Sequence, residues 1–261
     1  MSFISKRAAC STLMVLTSFA ASHAFAGSQG QGPSLKDKDL ATPGSSYVFS
    51  ISAGPVWAVN LKNQSFYLEP ELEKMFTVNN HTNTLADGEL FFGVQRDLST
   101  RFQGQLGLAI ALTSSASFSG DIWDDANPLF NNYIYSYRAQ HTHVAVKAKV
   151  LTDVGHYFKP YVSASAGAGF NYLSSYSSIS TNLEAAPVPN FRSHTQTALT
   201  YTVGAGIERT LSNHWQAGLG YEFADWGPGH LSRGPGQTTA HGVSFNHLWT
   251  NGLMFNITYL A

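Results

Sequence analysis

The residues of this chain alternate in character with a period of two over most of its length, and that alternation limits the fold more than any other feature. Across residues 101–112, Phe102, Gly104, Leu106, Leu108, Ile110 and Leu112 share one parity, while Arg101, Gln103, Gln105, Gly107, Ala109 and Ala111 share the other. Successive side chains of a strand point to opposite faces, so the segment reads as a strand with one apolar face and one polar or small face. Leu90, Phe92 and Val94 alternate in the same way with Glu89, Phe91, Gly93 and Gln95. The link through residues 97–100 is short enough to make the two strands an antiparallel hairpin. A second hairpin joins residues 137–150, where Val144, Val146, Ala148 and Val150 oppose His141, His143, Lys147 and Lys149, to residues 158–172, where Val162, Ala164, Ala166, Ala168 and Phe170 oppose Ser163, Ser165, Gly167 and Gly169. A third joins Leu199, Tyr201, Val203, Ala205 and Ile207 to Trp215, Ala217, Leu219, Tyr221 and Phe223, with Gly204, Gly206, Glu208, Gln216, Gly218, Gly220 and Glu222 on the other face. A first strand near residues 47–59 and a last near 252–261 raise the count to eight, an even number that closes a sheet with both chain ends on one side.

Something other than water must face much of such a chain. Charged residues make up only 12% of it, about half the share usual in soluble domains. After Ala26 no run approaches 18 apolar residues, which excludes membrane-spanning helices; a chain that enters a bilayer without them satisfies its backbone only as a closed β-barrel. Short links alternate with long polar segments at residues 60–86, 113–136, 174–196 and 227–250, the asymmetry of barrels with short periplasmic turns and long extracellular loops. The expected fold is all-β: an eight-stranded antiparallel up-and-down transmembrane β-barrel over residues 46–261, in the outer membrane of a Gram-negative bacterium.

The N-terminus agrees with export. Lys6 and Arg7 precede an apolar stretch from Ala8 to about Ala21 and the small-x-small site Ala24-Phe25-Ala26, the three parts of a signal peptide. Residues 1–26 are expected to be cleaved, leaving Gly27 first. Residues 27–45, with Pro33, Pro43 and the alternating Lys36, Asp37, Lys38 and Asp39, read as a flexible leader. Cleavage removes Cys10, the only cysteine, and with it any disulfide or thiolate metal site. It also takes two of the 15 basic residues, leaving 13 against 16 acidic, a net charge of −3 that is a poor match for nucleic acid.

The chain resembles the opacity-protein-like family of eight-stranded outer-membrane β-barrels. The resemblance rests on the strand-turn-strand at residues 89–112, on Lys159-Pro160-Tyr161 leading into a Gly/Ala-rich strand, and on Val203-Gly204-Ala205-Gly206 followed by Leu211-Ser212-Asn213-His214-Trp215 and Gly220-Tyr221. It spans nearly the whole mature chain and implies the barrel, with no ligand attached. Where such barrels commonly finish on an aromatic residue, this one finishes Thr258-Tyr259-Leu260-Ala261, with Tyr259 in that place.

The polar parity collects Glu89, Arg101, Lys147, Lys149, Glu208 and Glu222 in a lumen just wide enough for side chains to fill. They are expected to compensate one another as lumen ion pairs, because buried charges need partners; a narrow pore is the alternative. His141 and His143 share a strand face, but no third metal ligand accompanies them in the sequence, and no cofactor is expected. Residues 246–251, Asn-His-Leu-Trp-Thr-Asn, invite comparison with the lipid A deacylases, which are also eight-stranded barrels and carry the nucleophilic serine two positions after the histidine. Here that position is Trp249, and Thr250 faces away from His247, so no catalysis is expected. Trp57, Tyr172, Tyr201 and Phe223 near the loop end, and Tyr161, Trp215 and Tyr259 near the turn end, read as interfacial aromatic girdles. A soluble ligand-carrying barrel would turn the apolar parity inward. The expected role is structural or surface interaction: lipid and lipopolysaccharide around the wall, and host or envelope partners at loops that carry Asp121, Asp124, Asp125, Tyr133, Tyr135, Tyr137 and a Gly/Pro-rich stretch at 227–236. A lipid-handling barrel, including a lipid A modifying enzyme, is the other reading.

Overall fold

The computed structural model describes residues 45–59, 61–79, 83–154, 158–181 and 190–261. The export signal, and the leader up to residue 44, lie outside the described residues. Thirteen strands follow in order: β1 (Ser45–Val59), β2 (Gln64–Glu69), β3 (Leu72–Phe76), β4 (Asn83–Asp97), β5 (Phe102–Thr113), β6 (Ala116–Asp124), β7 (Asn131–Thr152), β8 (Phe158–Ser180), β9 (His194–Thr210), β10 (Trp215–Asp225), β11 (Gly229–His230), β12 (Ser244–Phe245) and β13 (Trp249–Leu260).

Eight of them form a closed ring, β7-β5-β4-β1-β13-β10-β9-β8, with β8 returning to β7. The first and last strands pair with Phe49 opposite Tyr259 and Ile51 opposite Ile257, and the Ala261 amide donates to the Tyr47 carbonyl at 2.9 Å. Closure leaves the ring without an unpaired edge. Ile51, Leu90, Phe92, Leu106, Leu108, Val146, Val162, Leu199, Val203, Phe255 and Ile257 stand exposed on the outer wall. Ser50, Gln105, Lys147, Lys149, Thr202, Glu208, Gln216 and Asn256 are buried within. A water-soluble barrel requires the reverse, because each Å² of apolar surface left in water forfeits about 25 cal/mol. An apolar exterior around a hydrogen-bonded, edgeless wall is the form in which β-structure crosses hydrocarbon.

At the turn end the hairpins are tight and share a device. Leu98 and Ser99 donate their amides to the Phe102 carbonyl, and the Ser99 hydroxyl accepts from the amides of Arg101 and Phe102. Leu211, Ser212, His214 and Trp215 repeat the same pattern between β9 and β10. A serine whose side chain caps its own turn explains why Leu-Ser-x-x-aromatic occurs at both places.

The loop end departs from the expected polar loops. β7 and β8 run for 22 and 23 residues, about twice the 9–11 that cross a bilayer, so their upper halves stand clear of it. β5 and β6 follow one another along β7, the first against residues 142–152 and the second against 131–139, and the β2–β3 hairpin extends β6 sideways. Within the segments expected as loops at 60–86, 113–136 and 174–196, residues 64–69, 72–76, 116–124, 131–136 and 174–180 are thus strands of a five-stranded superstructure. Tyr133, Tyr135 and Tyr137, expected at an exposed loop, are buried on its inner face. Outside is now water rather than lipid, so the apolar parity turns inward and the pattern that marks the wall inverts. The last long segment, between β10 and β13, folds back over the mouth. Its Trp226, Leu231, Val243, Phe245 and Leu248 join Phe76, Phe118, Tyr135, Tyr137 and Leu173 in one apolar cluster.

Candidate functional site

Three layers stack along the barrel axis, and each is built by the alternation of the strands that line it. The lowest is ionic. The Lys147 ammonium on β7 donates to both carboxylate oxygens of Glu89 on β4, at 2.7 and 2.9 Å, and to Glu222 on β10 at 3.0 Å. One turn of the pleat nearer the periplasm, Lys149 donates to Glu208 on β9 at 2.7 Å and lies 4.7 Å from the centre of the Tyr161 ring. Gln95 and Gln105, bonded to each other at 2.9 Å, close the layer from β4 and β5. Five of the six charged residues on the lumen parity therefore meet in two clusters. Arg101 does not: it occupies the β4–β5 turn with its side chain exposed, because a turn residue no longer obeys the alternation of the strand it follows.

Tyr161 also departs from its expected place. It is 8% exposed and faces the lumen, whereas Tyr172, Tyr201, Trp215 and Tyr259 are exposed on the outer wall and Trp57 and Phe223 are half-buried there. Its odd parity on β8, shared with Ser163 and Ser165, dictates the inward direction. Glycine makes the room: a Cβ on Gly220 would lie 3.1 Å from the Tyr161 Cζ, and one on Gly206 would lie 2.7 Å from it. The remaining space among Ser50, Glu89, Lys147, Tyr161, Glu222 and Asn256 amounts to about 20 Å³ for water centres, enough for a water or two and no more.

The second layer is the floor of the plug. His141 on β7 lies flat against Trp226, with ring centres 4.5 Å apart and planes 3° from parallel. Its Nδ1 meets Asn171 Oδ1 at 2.7 Å and its Nε2 meets His143 Nδ1 at 3.1 Å. Asn171 then donates its amide to the carbonyls of Trp226 and Pro228, both at 2.8 Å. With both ring nitrogens of His141 engaged, the pair is organised for holding the plug.

These residues extend the set legible in sequence. Asp87, two positions before Glu89 and so on the same face, lies within electrostatic reach of Glu89 and Glu222; it is not among the lumen candidates read from the sequence. Lys74, buried at 2%, pairs with Asp124, which also accepts from Asn132 at 2.7 Å. Asp124 is thereby a structural member of the superstructure rather than a free loop carboxylate.

The third layer is the plug itself. His194 at the head of β9, His230 on β11 and His241 form a row, the first pair stacked and the second tilted, with ring centres 4.3 and 5.3 Å apart. Burial, with His194 and His241 beside it, holds the His230 imidazole below the ordinary histidine value. Outside the mouth, His247 donates through Nδ1 to Asp225 at 2.8 Å, a carboxylate that also takes the Trp249 indole N–H at 3.3 Å. Thr250 is buried on the inner face, and among the described residues no hydroxyl is bonded to His247.

No protein-family model and no curated protein matches the chain. Solved structures do. Neisserial surface protein A is 11% identical over 83% of this chain and 98% of its own, with a TM-score of 0.41. Ail, the attachment invasion locus protein of Yersinia pestis, solved with the heparin analogue sucrose octasulfate, is 11% identical over 82% and 99%, with a TM-score of 0.34. The outer membrane protease OmpT from Escherichia coli is 7% identical over 83% and 96%, with a TM-score of 0.44. The closed ring of eight strands with its apolar outer wall decides the kind of fold this chain has. It is a small outer-membrane-type β-barrel. The roles for which the three compared proteins are named differ from one another.

Proposed function

We propose that this protein is a non-catalytic surface barrel, held in the outer membrane by its apolar wall, which meets envelope or extracellular partners through its superstructure and plug. The observation that supports this reading is the filling of the axis: among the described residues, the two lysine–carboxylate clusters, the His141–Trp226 floor and the apolar cap succeed one another along it. Eight-stranded barrels have little interior to spare, and here the chain spends its length above the membrane on a rigid sheet rather than on a wider wall. Chemistry placed where partners can reach, at the rim and loops, suits recognition.

The test is electrical and adhesive together. Purified protein in a planar bilayer is expected to give no unitary conductance steps, and replacing residues 116–139 or 226–248 with short glycine-serine links is expected to abolish binding to cells or envelope components while the barrel still assembles. Steady conductance by the intact protein, or binding that survives both replacements, contradicts the proposal.

A further inference from the structure

Just above the seam where β1 meets β13, the outer rim carries an open cleft of about 340 Å³ lined by Lys62, Asn63, Gln64, Ser244, Asn246 and His247. Its two walls come from distant parts of the chain and are locked together. The Gln64 amide oxygen accepts from the Ser244 amide at 3.0 Å and from its hydroxyl at 3.1 Å, and the Gln64 nitrogen donates to the Ser244 carbonyl. One side chain thus reads both faces of a backbone position, which fixes the cleft's width.

The lining suits an anion. Lys62 is an exposed ammonium, and His247, whose side chain is 58% exposed, is steered by the buried Asp225 behind it. Asp225 is occupied: one oxygen takes His247 and Trp249, the other the Gly227 amide at 2.8 Å. A carboxylate bonded to Nδ1 fixes the ring and leaves Nε2 as the outward-facing nitrogen. Asn63 and Asn246 add neutral amide donors, and none of the described residues that line the cleft is a carboxylate.

Below it the surface changes to hydrocarbon character. Val59 pairs with Trp249 and Trp57 with Asn251 at the top of the seam. Leu253, Phe255, Ile257 and Ile51 continue down the same outer face, all exposed. A cationic, amide-rich cleft at the head of an apolar stripe matches a molecule with an anionic head and acyl tails. The loop end places it at the outer leaflet. We propose that this cleft binds the phosphate of an outer-leaflet phosphorylated lipid, with Lys62 and His247 on the phosphate and the acyl chains along the β1–β13 seam. This deepens the reading of the chain as an outer-membrane barrel and rests on it.

The test uses the full mature barrel refolded in detergent, checked first for the heat-dependent gel shift of a closed barrel, so that loss of the barrel reading shows itself separately. Binding of bisphosphorylated lipid A, of the same lipid stripped of phosphate, and of inorganic phosphate is measured by native mass spectrometry. One bisphosphorylated lipid per barrel is expected, with affinity falling about tenfold for each lost charged hydrogen bond in Lys62→Gln and in His247→Gln, and restored in Lys62→Arg. The stripped lipid is expected to bind at least tenfold more weakly than the intact one. Equal affinity of wild type and both glutamine variants overturns the site. Inorganic phosphate bound as tightly as the lipid overturns the assignment to a lipid.

Discussion

The Lys147 ammonium ties together two strands that are not neighbours in the ring, because it serves carboxylates from both β4 and β10. Removing one partner of a buried ion pair leaves the other charge uncompensated and costs about 3–5 kcal/mol. Lys147→Met is therefore expected to lower the free energy of unfolding, read from urea titration in vesicles, by about that amount. Adding Glu89→Gln and Glu222→Gln should recover most of it, since no bare carboxylate then remains. A single variant as stable as wild type shows that the pairs do not hold the wall together. The same residues explain what was legible at this scale. Glu89, Lys147, Lys149, Glu208 and Glu222 could be placed in one lumen because strand parity is fixed by backbone geometry. Arg101 could not, since parity ends where the turn begins. Tyr161 was assigned by residue type, to an aromatic girdle, when its parity and the glycines at 206 and 220 pointed inward.

Among elements, the segment between β10 and β13 depends most on solution conditions. It is anchored by the row of His194, His230 and His241 and by the His141–Trp226–Asn171 floor. Because the anchored state holds the His230 value below that of a free histidine, about 6.5, the released segment binds protons more readily. Anchoring is then fully present above that value and is lost as pH falls below it. Hydrogen exchange of residues 229–243 is expected to quicken between pH 7.5 and pH 5, and much less so in His230→Gln. Equal protection at the two pH values contradicts this account. The loop segments were the least legible elements, and the reason is physical. Phe118, Ile122, Tyr133, Tyr135 and Tyr137 keep the period of two, but above the bilayer both the lining and the outer face are diluted with Ser, Asn and Asp, so hydrophobic contrast falls while strand pairing persists.

For the whole molecule, one sequence pattern serves two solvents. From β1 to β13 the apolar parity faces outward at membrane height, and on β6, upper β7 and the plug it faces inward, with the crossover near Gln140, Thr142 and Thr113 at the rim. The barrel was legible because the eight wall strands repeat a single rule and short turns alternate with long connections; the cleft at Lys62 and His247 was not, because its walls come from segments some 180 residues apart that only the closed ring brings together. The central claim is that the exposed parity meets lipid, and the β5 strand tests it most directly, with Leu106 and Leu108 at 56% and 57% exposure and Gln105 at 2%. Nitroxide labels on single cysteines at 105, 106, 107 and 108, in protein reconstituted into vesicles, report collisions with lipid-soluble oxygen. Strong collisions at 106 and 108 with weak ones at 105 and 107 are predicted; the opposite alternation, or none, contradicts a barrel that spans the membrane.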